Sequence, residues 1–270
     1  MTDSRLPRKP MNQTPALIVF TDLDGTLLDH DSYSHGPAEP ALDRLRAAQI
    51  PVILASSKTA AEIAPLRATL GFSDCPAIVE NGAGLLPAGA DDIEGDDYVR
   101  LRAALEEIPN TLRTLFTGFG DMTADQIAQD TSLPLRDAAN AGKRKFSEPG
   151  RWHGTDDQIA AFLDHLSTHS ITARQGGRYL TLSFGQTKAD QMQTILARYN
   201  SPKSIALGDA PNDIEMLETA DHGVIIHNPH RAPLPPLAGE DKGRIQRTKL
   251  SGPAGWNAAM QQLLSDHGID

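Results

Sequence analysis

Cysteine is nearly absent from this chain. Cys75 is the single one in 270 residues, which excludes an internal disulfide and any multi-cysteine metal centre. Basic residues are also short: 25 Lys and Arg against 35 Asp and Glu leave a net charge of −10. A general nucleic-acid or anionic-membrane binder leans the other way. Long apolar runs are missing; Ala16-Leu17-Ile18-Val19-Phe20 is among the longest, far from the roughly 20 residues of a membrane span. No apolar segment follows Arg5, Arg8 and Lys9, so the N-terminus does not read as a secretory signal. These absences leave a cytoplasmic protein acting on small molecules, with no nucleic-acid and no membrane partner. Its oligomeric state is not written in the composition. The length allows one large domain or two smaller ones.

Residues 1–15 are polar, hold three prolines and read as a disordered leader, with Met11 an alternative start. Ala16–Thr21 follows as a continuous apolar and β-branched run, the pattern of a strand buried on both faces in a parallel sheet. Helix Pro40–Gln49, strand Pro51–Ala55, helix Thr59–Leu70 and strand Ala77–Glu80 continue an alternation that predicts a doubly wound α/β sheet. The rhythm changes at the Gly- and Asp-rich stretch 87–98. Helices near Val99–Ile108, Ala124–Gln129 and Thr155–Thr168, with strands Lys145–Ser147, Ile171–Arg174 and Tyr179–Ser183, predict an α+β insert. From Lys188 the α/β rhythm returns: helix Lys188–Tyr199, strand Ser204–Gly208, helix Asn212–Thr219, strand His222–Ile226 and a last helix Gly255–Leu264. The expectation is a Rossmann-like core of residues 16–86 and 185–270, with residues 87–184 inserted as a second domain.

Chemistry gathers where strands end. Asp22-Leu23-Asp24-Gly25-Thr26 closes the first strand, and open α/β sheets bind ligands beyond the carboxyl ends of their strands. Two carboxylates there suit a nucleophile with a general acid, or a metal ligand with a base. A plain Asp-Gly turn uses the same residues. A calcium loop does not fit, because Leu27 and Tyr33 stand where it needs Gly and Glu. Gly208-Asp209-Ala210-Pro211-Asn212-Asp213 follows another buried strand, and its carboxylates suit magnesium. Asn212 or Asp213 could instead cap a helix, which leaves Asp209 unexplained. Ser56-Ser57-Lys58-Thr59 ends the second strand and opens a helix, as a phosphate seat or a simple N-cap. Lys188 stands at a helix start, where the dipole disfavours it unless it faces an anion.

Magnitude ties these pieces together. Phosphate-monoester hydrolysis needs up to ~10²¹-fold acceleration, and one positioned acid–base group supplies only about 10²–10⁴. A nucleophile, an acid–base residue, a cation and a lysine at adjoining strand ends could supply it jointly.

In order and approximate spacing, Asp22–Thr26, Ser56, Lys188 and Gly208–Asp213 resemble the haloacid dehalogenase superfamily of phosphohydrolases, and the insert resembles its large α/β cap. Asp22–His35, Ser56–Glu62, Glu80–Ala83, Lys145–Pro149, Gly176–Leu180 and Gly255–Asn257 are similar, more narrowly, to the mannosyl-3-phosphoglycerate phosphatases. Close relatives of these take glucosyl-3-phosphoglycerate or other sugar phosphates. The resemblance implies that Asp22 is a nucleophile forming an aspartyl-phosphate and Asp24 the acid–base residue. It implies that Ser56 and Lys188 hold the phosphoryl group, with Ser57 among the substrate-binding residues. Mg²⁺ would be bound by Asp22, Asp24 (through its carbonyl) and Asp209, with Asp213 behind. Lys145, Glu148 and Arg178 fall in substrate-facing segments of the cap; Arg178 is the first candidate for the substrate carboxylate, Lys145 the second, and Glu148 could accept sugar hydroxyls. One departure is Gln186-Thr187-Lys188-Ala189, where the family's usual wording has glycine after the lysine.

Other features read blandly. His165 and His169 lack further zinc ligands, Gly82-Ala83-Gly84 and Gly118-Phe119-Gly120 fail the dinucleotide pattern, and Asp91–Asp97 reads as a solvated loop. Trp152 and Trp256 read as packing residues. A phosphomutase, or a binding module that keeps only the fold, are the rival readings.

Overall fold

A computed structural model describes residues 15–176 and 178–269; the leader expected at 1–15 lies almost wholly outside them. The first strand, β1 (Leu17–Thr21), is buried at all five positions, as its unbroken apolar run requires. Helix α1 (Glu39–Ala47) leads to β2 (Val52–Leu54), and α2 (Ala60–Thr69) leads to β3 (Ala77–Val79). A hairpin partner, β4 (Gly84–Leu86), pairs antiparallel with β3. The chain then leaves the core through α3 (Asp97–Glu107), α4 (Asn110–Arg113), β5 (Phe116–Gly118), α5 (Ala124–Thr131), α6 (Leu135–Ala141) and β6 (Glu148–Trp152). It continues as α7 (Asp156–Thr168), β7 (Thr172–Gly176) and β8 (Tyr179–Ser183). The last section holds α8 (Lys188–Arg198), β9 (Lys203–Gly208), α9 (Ile214–Thr219), β10 (His222–His227), β11 (Ile245–Ser251) and α10 (Gly252–Asp266).

Two sheets result. The first runs β11-β10-β9-β1-β2, every pair parallel, and a single parallel bridge, Ala55 to Ile78, brings β3 beside β2. This is the Rossmann-like core that the alternation predicts. The second is antiparallel, β5-β6-β8-β7, and has its own apolar cluster, in which Leu101, Leu105, Phe162 and Leu166 of α3 and α7 meet Phe116, Leu180 and Leu182. α5 and α6 pack as a separate small pair around Phe119, Ile127, Ala138 and Ala141.

Register fixes where the chemistry falls. Thr21 stands level with Leu54 on one side and Leu207 on the other, so Asp22, Ser56 and Asp209 all emerge from one edge of the core sheet. The chain passes from β1 to β2 on one side and returns through β9 on the other, which makes β1 the switch point where such sheets bind ligands.

One expected strand is corrected. Lys145–Ser147 is an irregular bend, and pairing begins only at Glu148. The backbone N–H groups of all three residues donate to the Glu80 carboxylate, at 2.8–3.2 Å, rather than to a neighbouring strand.

Candidate active site

Asp22 follows β1 directly, held from below by a short chain of bonds. Trp256 Nε1 donates to Thr21 Oγ1 (3.0 Å), and the Thr21 hydroxyl donates to the Asp22 carbonyl (2.7 Å). Trp256 is thus more than filling. Lys188 is the centre of the arrangement. Only 1% exposed, it places Nζ 2.7 Å from Asp22 Oδ1 and 2.7 Å from Asp213 Oδ1. Burial works against its charge, yet Asp213 and Asp22 outweigh that and hold the ammonium protonated more firmly than an ordinary lysine. A cation sits at the start of α8, against the helix dipole, because two carboxylates face it.

Glycine governs the approach. Gly82, at φ +96°, lies so close to the Thr187–Lys188 backbone that a Cβ would stand 2.0 Å from the Thr187 carbonyl carbon. Only a residue without a side chain lets α8 begin there. Thr187 caps the helix by accepting from Asp190 N, and Ala189 fits the first turn without needing a glycine's freedom.

Asp213 is fully enclosed, with both oxygens in use. Oδ2 accepts from the N–H groups of Asp209 (3.1 Å) and Ala210 (3.0 Å), closing the turn after β9. Asp209 is held by Thr26 Oγ1 (2.9 Å), Asn228 Nδ2 (2.8 Å) and the Arg231 guanidinium (3.2 Å). Neither Asn228 nor Arg231 stands out in the sequence reading. Applying the strand-end rule to β10 as well as to β1 and β9 would have found Asn228, the residue directly after it.

Asp22, Asp209 and Asp213 offer carboxylate oxygens within 4.8 Å of one another, all buried. Burial raises the Asp22 pKa well above the ordinary carboxylate range; Asp213 adds to this and Lys188 opposes it. Asp209 is raised for the same first reason, then by Asp213, against Asn228 and Arg231. Crowded carboxylates short of positive charge fit a hard divalent cation with oxygen ligands. Asp22 and Asp209 suit direct ligation, while Asp213 is taken up with Lys188 and the turn.

Asp24 stands apart from that trio. Its Oδ2 pairs with Lys58 Nζ at 3.0 Å, and its buried Oδ1 has no partner. Ser56 is buried, and its hydroxyl accepts from Lys58 N (3.2 Å). The cap of α2 is Thr59, whose capping box with Glu62 is complete, so Ser56 is not needed for it.

The sequence model of the haloacid dehalogenase-like hydrolase family matches residues 19–117 and 146–232. The chain belongs to that family. Residues 118–145, which carry α5 and α6, fall between the two matched stretches. The fold is similar to a phosphatase of this superfamily from Bacteroides thetaiotaomicron, at TM-score 0.64 and 17% identity over all of both chains. It is also similar to a subclass IIB sugar phosphatase (TM-score 0.63, 16% identity, 94% of this chain and 99% of that one). A haloacid dehalogenase-like hydrolase from B. subtilis gives 0.62 and 18%, covering 92% and 99%.

The cap residues of this hydrolase fall differently from expectation. Glu148 is 0% exposed, and its carboxylate accepts from Tyr98 OH (2.5 Å), Gly120 N (3.0 Å) and Arg102 Nη1 (3.4 Å). A carboxylate buried and satisfied in this way braces the cap, and in this structure it does not reach the surface where a sugar hydroxyl would meet it. Arg178 lies in the exposed β7–β8 turn and donates to the carbonyls of Asp130 (2.9 Å) and Thr131 (3.4 Å) at the end of α5. Lys145 pairs loosely with Asp92, at 3.9 Å. Ser57 is exposed, with its carbonyl accepting from Arg144. A second group, His30, Asp31 and His230, escaped the sequence reading; it is exposed, with the two rings stacked at 4.2 Å. No described helix is long and apolar enough to cross a membrane.

Proposed function

We propose that this hydrolase is a Mg²⁺-dependent phosphatase that takes mannosyl-3-phosphoglycerate to mannosylglycerate and phosphate, with residues 87–184 as the substrate-selecting cap. The observation that carries the phosphatase reading is Lys188, buried and 2.7 Å from two carboxylates at the switch point of the sheet. Attack needs an ionised Asp22 beside an anionic phosphoryl group. Lys188, and Mg²⁺ held by Asp22 and Asp209, would offset that repulsion, the metal serving as a Lewis acid toward a phosphoryl oxygen.

An Asp22 carboxylate oxygen bonds to phosphorus and the ester P–O bond breaks. The departing oxygen takes its proton from Asp24. Asp24 then removes a proton from water, which attacks the aspartyl-phosphate, frees inorganic phosphate and returns Asp22 to its carboxylate. Ser56, buried at the edge where β2 ends, is placed to steady a phosphoryl oxygen. Support for the particular substrate comes from the stretches that resemble mannosyl-3-phosphoglycerate phosphatases.

The test is phosphate release from a panel: mannosyl- and glucosyl-3-phosphoglycerate, hexose 6-phosphates and 3-phosphoglycerate, each with Mg²⁺ and with chelator. Highest kcat/KM on the mannosyl compound, lost with chelator, is the expected result. Preference for the glucosyl compound or for simple hexose phosphates would replace the substrate, and full activity in chelator would remove the metal.

A further inference from the structure

The leaving group of the proposed reaction carries a carboxylate close to the oxygen that departs. In a 3-phosphoglycerate ester the carboxyl carbon lies three bonds from that oxygen, so the two are about 4 Å apart at most by covalent geometry of roughly 1.5 Å per bond. Whatever cation receives the carboxylate must therefore stand beside Asp24, which has to reach the same oxygen.

Among the described residues one cation pairs with Asp24. Lys58 Nζ lies 3.0 Å from Asp24 Oδ2, and its side chain is 17% exposed, so solvent still reaches it. An ammonium has three donors, and the Asp24 carboxylate takes one. On another side the Tyr33 ring lies 5.5 Å from Nζ, within cation–π range. Tyr33 is itself unusual: half exposed and at φ +54°, where residues with a side chain are uncommon. The surrounding loop imposes this, with Tyr33 N donating to the Asp29 carbonyl (3.0 Å), Asp29 N to the Ser34 carbonyl (3.0 Å) and Ser32 to the Asp29 carboxylate. Desolvation opposes the charge on Lys58, but Asp24 and then Glu62 outweigh it, and the ammonium is held protonated.

Of the other cations, Arg178 is spent on carbonyls at the end of α5 and Arg231 pairs with Asp209, while Lys145, held only loosely by Asp92 at 3.9 Å, is not paired with Asp24. We infer that Lys58, backed by the Tyr33 ring, receives the carboxylate of the leaving group and selects phosphoglycerate esters over phosphate esters that lack it. This rests on the phosphatase reading above and adds to it a role for the lysine of the Ser56–Thr59 motif.

The experiment uses ratios, because Lys58 also touches Asp24 and its loss will change absolute rates. In Lys58→Met, kcat/KM for mannosyl-3-phosphoglycerate divided by that for glycerol 3-phosphate, an alkyl ester whose leaving oxygen also needs Asp24 but which carries no carboxylate, should fall about 10- to 100-fold, mainly through KM, the scale of a lost charged hydrogen bond. Lys58→Arg should keep most of the ratio. Tyr33→Leu should lower it by less. If Lys58 merely positions Asp24, both substrates lose equally and the ratio stays; that outcome, or no loss at all, overturns the inference. A second arm stands even if no sugar phosphoglycerate is hydrolysed, in which case the substrate reading fails by itself. D-Glycerate should inhibit p-nitrophenyl phosphate hydrolysis more strongly than glycerol in the natural enzyme, and no more strongly in Lys58→Met. Equal inhibition by the two compounds in the natural enzyme would also sink it.

Discussion

The core and the cap use charge in opposite ways. At the edge of the core sheet, three buried carboxylates crowd within 4.8 Å of one another around one lysine, and burial pushes Asp22 and Asp209 up. That is an unfavourable arrangement for a folded protein, one that a substrate and a cation would relieve. In the cap, buried and half-buried charges are answered internally. Glu148 is surrounded by donors, and Asp121 accepts from two arginines and a backbone N–H. The difference separates residues that are poised from residues that are satisfied. Glu148, offered as a substrate contact, stands on the satisfied side.

The sharpest break in the comparison comes from the poised side. Asp22→Asn should abolish phosphate release, because an amide cannot attack phosphorus, while leaving the metal-free protein at least as stable as before. The sign follows from the shift: a carboxyl whose folded pKa is raised costs stability as pH climbs above its unfolded value of 3.8, in full once the folded pKa is passed, and asparagine removes the charge. Lys188→Met should also cost at least about 10²-fold in kcat, but with the opposite effect on folding. It leaves Asp22 and Asp213 buried without their cation and should destabilise by about 3–5 kcal/mol. Chemical denaturation of both variants with chelator, beside phosphate release with Mg²⁺, checks the pair. Equal destabilisation by the two would show that the cluster is satisfied after all.

Much of this division could be read from the sequence. β1 and β2 are largely apolar runs and β9 holds one at Ile205–Leu207, with Asp22, Ser56 and Asp209 within two residues of their ends, so both the parallel core and the edge that carries its chemistry were legible. Asp22 and Lys188 are 166 positions apart, yet the family's order of motifs placed them in one site. Three things stayed hidden. β11 (Ile-Gln-Arg-Thr-Lys-Leu-Ser) is an edge strand, mostly exposed, and lacks the apolar signature of its neighbours. β5 is three residues long and contains a glycine. Glu148 sits in a segment that resembles a substrate-facing one, and nothing in local spacing tells a carboxylate turned inward from one turned to a ligand; only the tertiary partners Tyr98, Gly120 and Arg102 decide it.

Glu80 ties the two regions together and sharpens the comparison at their junction. It follows β3 at φ +52°, is nearly inaccessible, and receives Lys145, Phe146 and Ser147 N–H, the Ser147 hydroxyl (2.8 Å) and Arg144 Nε (3.3 Å). Glu80→Ala should leave these donors and the buried Arg144 charge without an acceptor, costing about 3 kcal/mol. Because the loss falls where cap residues dip onto the core, hydrogen exchange at 144–148 should rise more than in β1 or β9. Uniform loss of protection across both sheets would mean that Glu80 supports the fold as a whole and not the junction.

The smallest expected effect lies wholly within the satisfied region. Asp121 Oδ1 accepts from Arg102 Nη2 (2.6 Å) and Arg113 Nη2 (2.7 Å), and Oδ2 from Gly118 N (2.9 Å). Partial burial would raise its pKa, but these three donors win and bring it down to about 2. A depressed carboxyl stabilises the fold above its unfolded pKa of 3.8, and that contribution disappears as pH falls through about 2. The shift corresponds to about 2 kcal/mol before screening and to about 1–2 kcal/mol after allowing for partial exposure. Asp121→Asn should therefore speed amide exchange in β5 and β6 at pH 7 by roughly 5- to 30-fold. Its unfolding free energy should converge with that of the natural protein between pH 4 and pH 2. Phosphate release at neutral pH should scarcely change, since Asp121 answers its neighbours and faces nothing else. A constant stability difference down to pH 2 would show that Asp121 contributes through shape, and the contrast between satisfied and poised charge would lose its best-defined member.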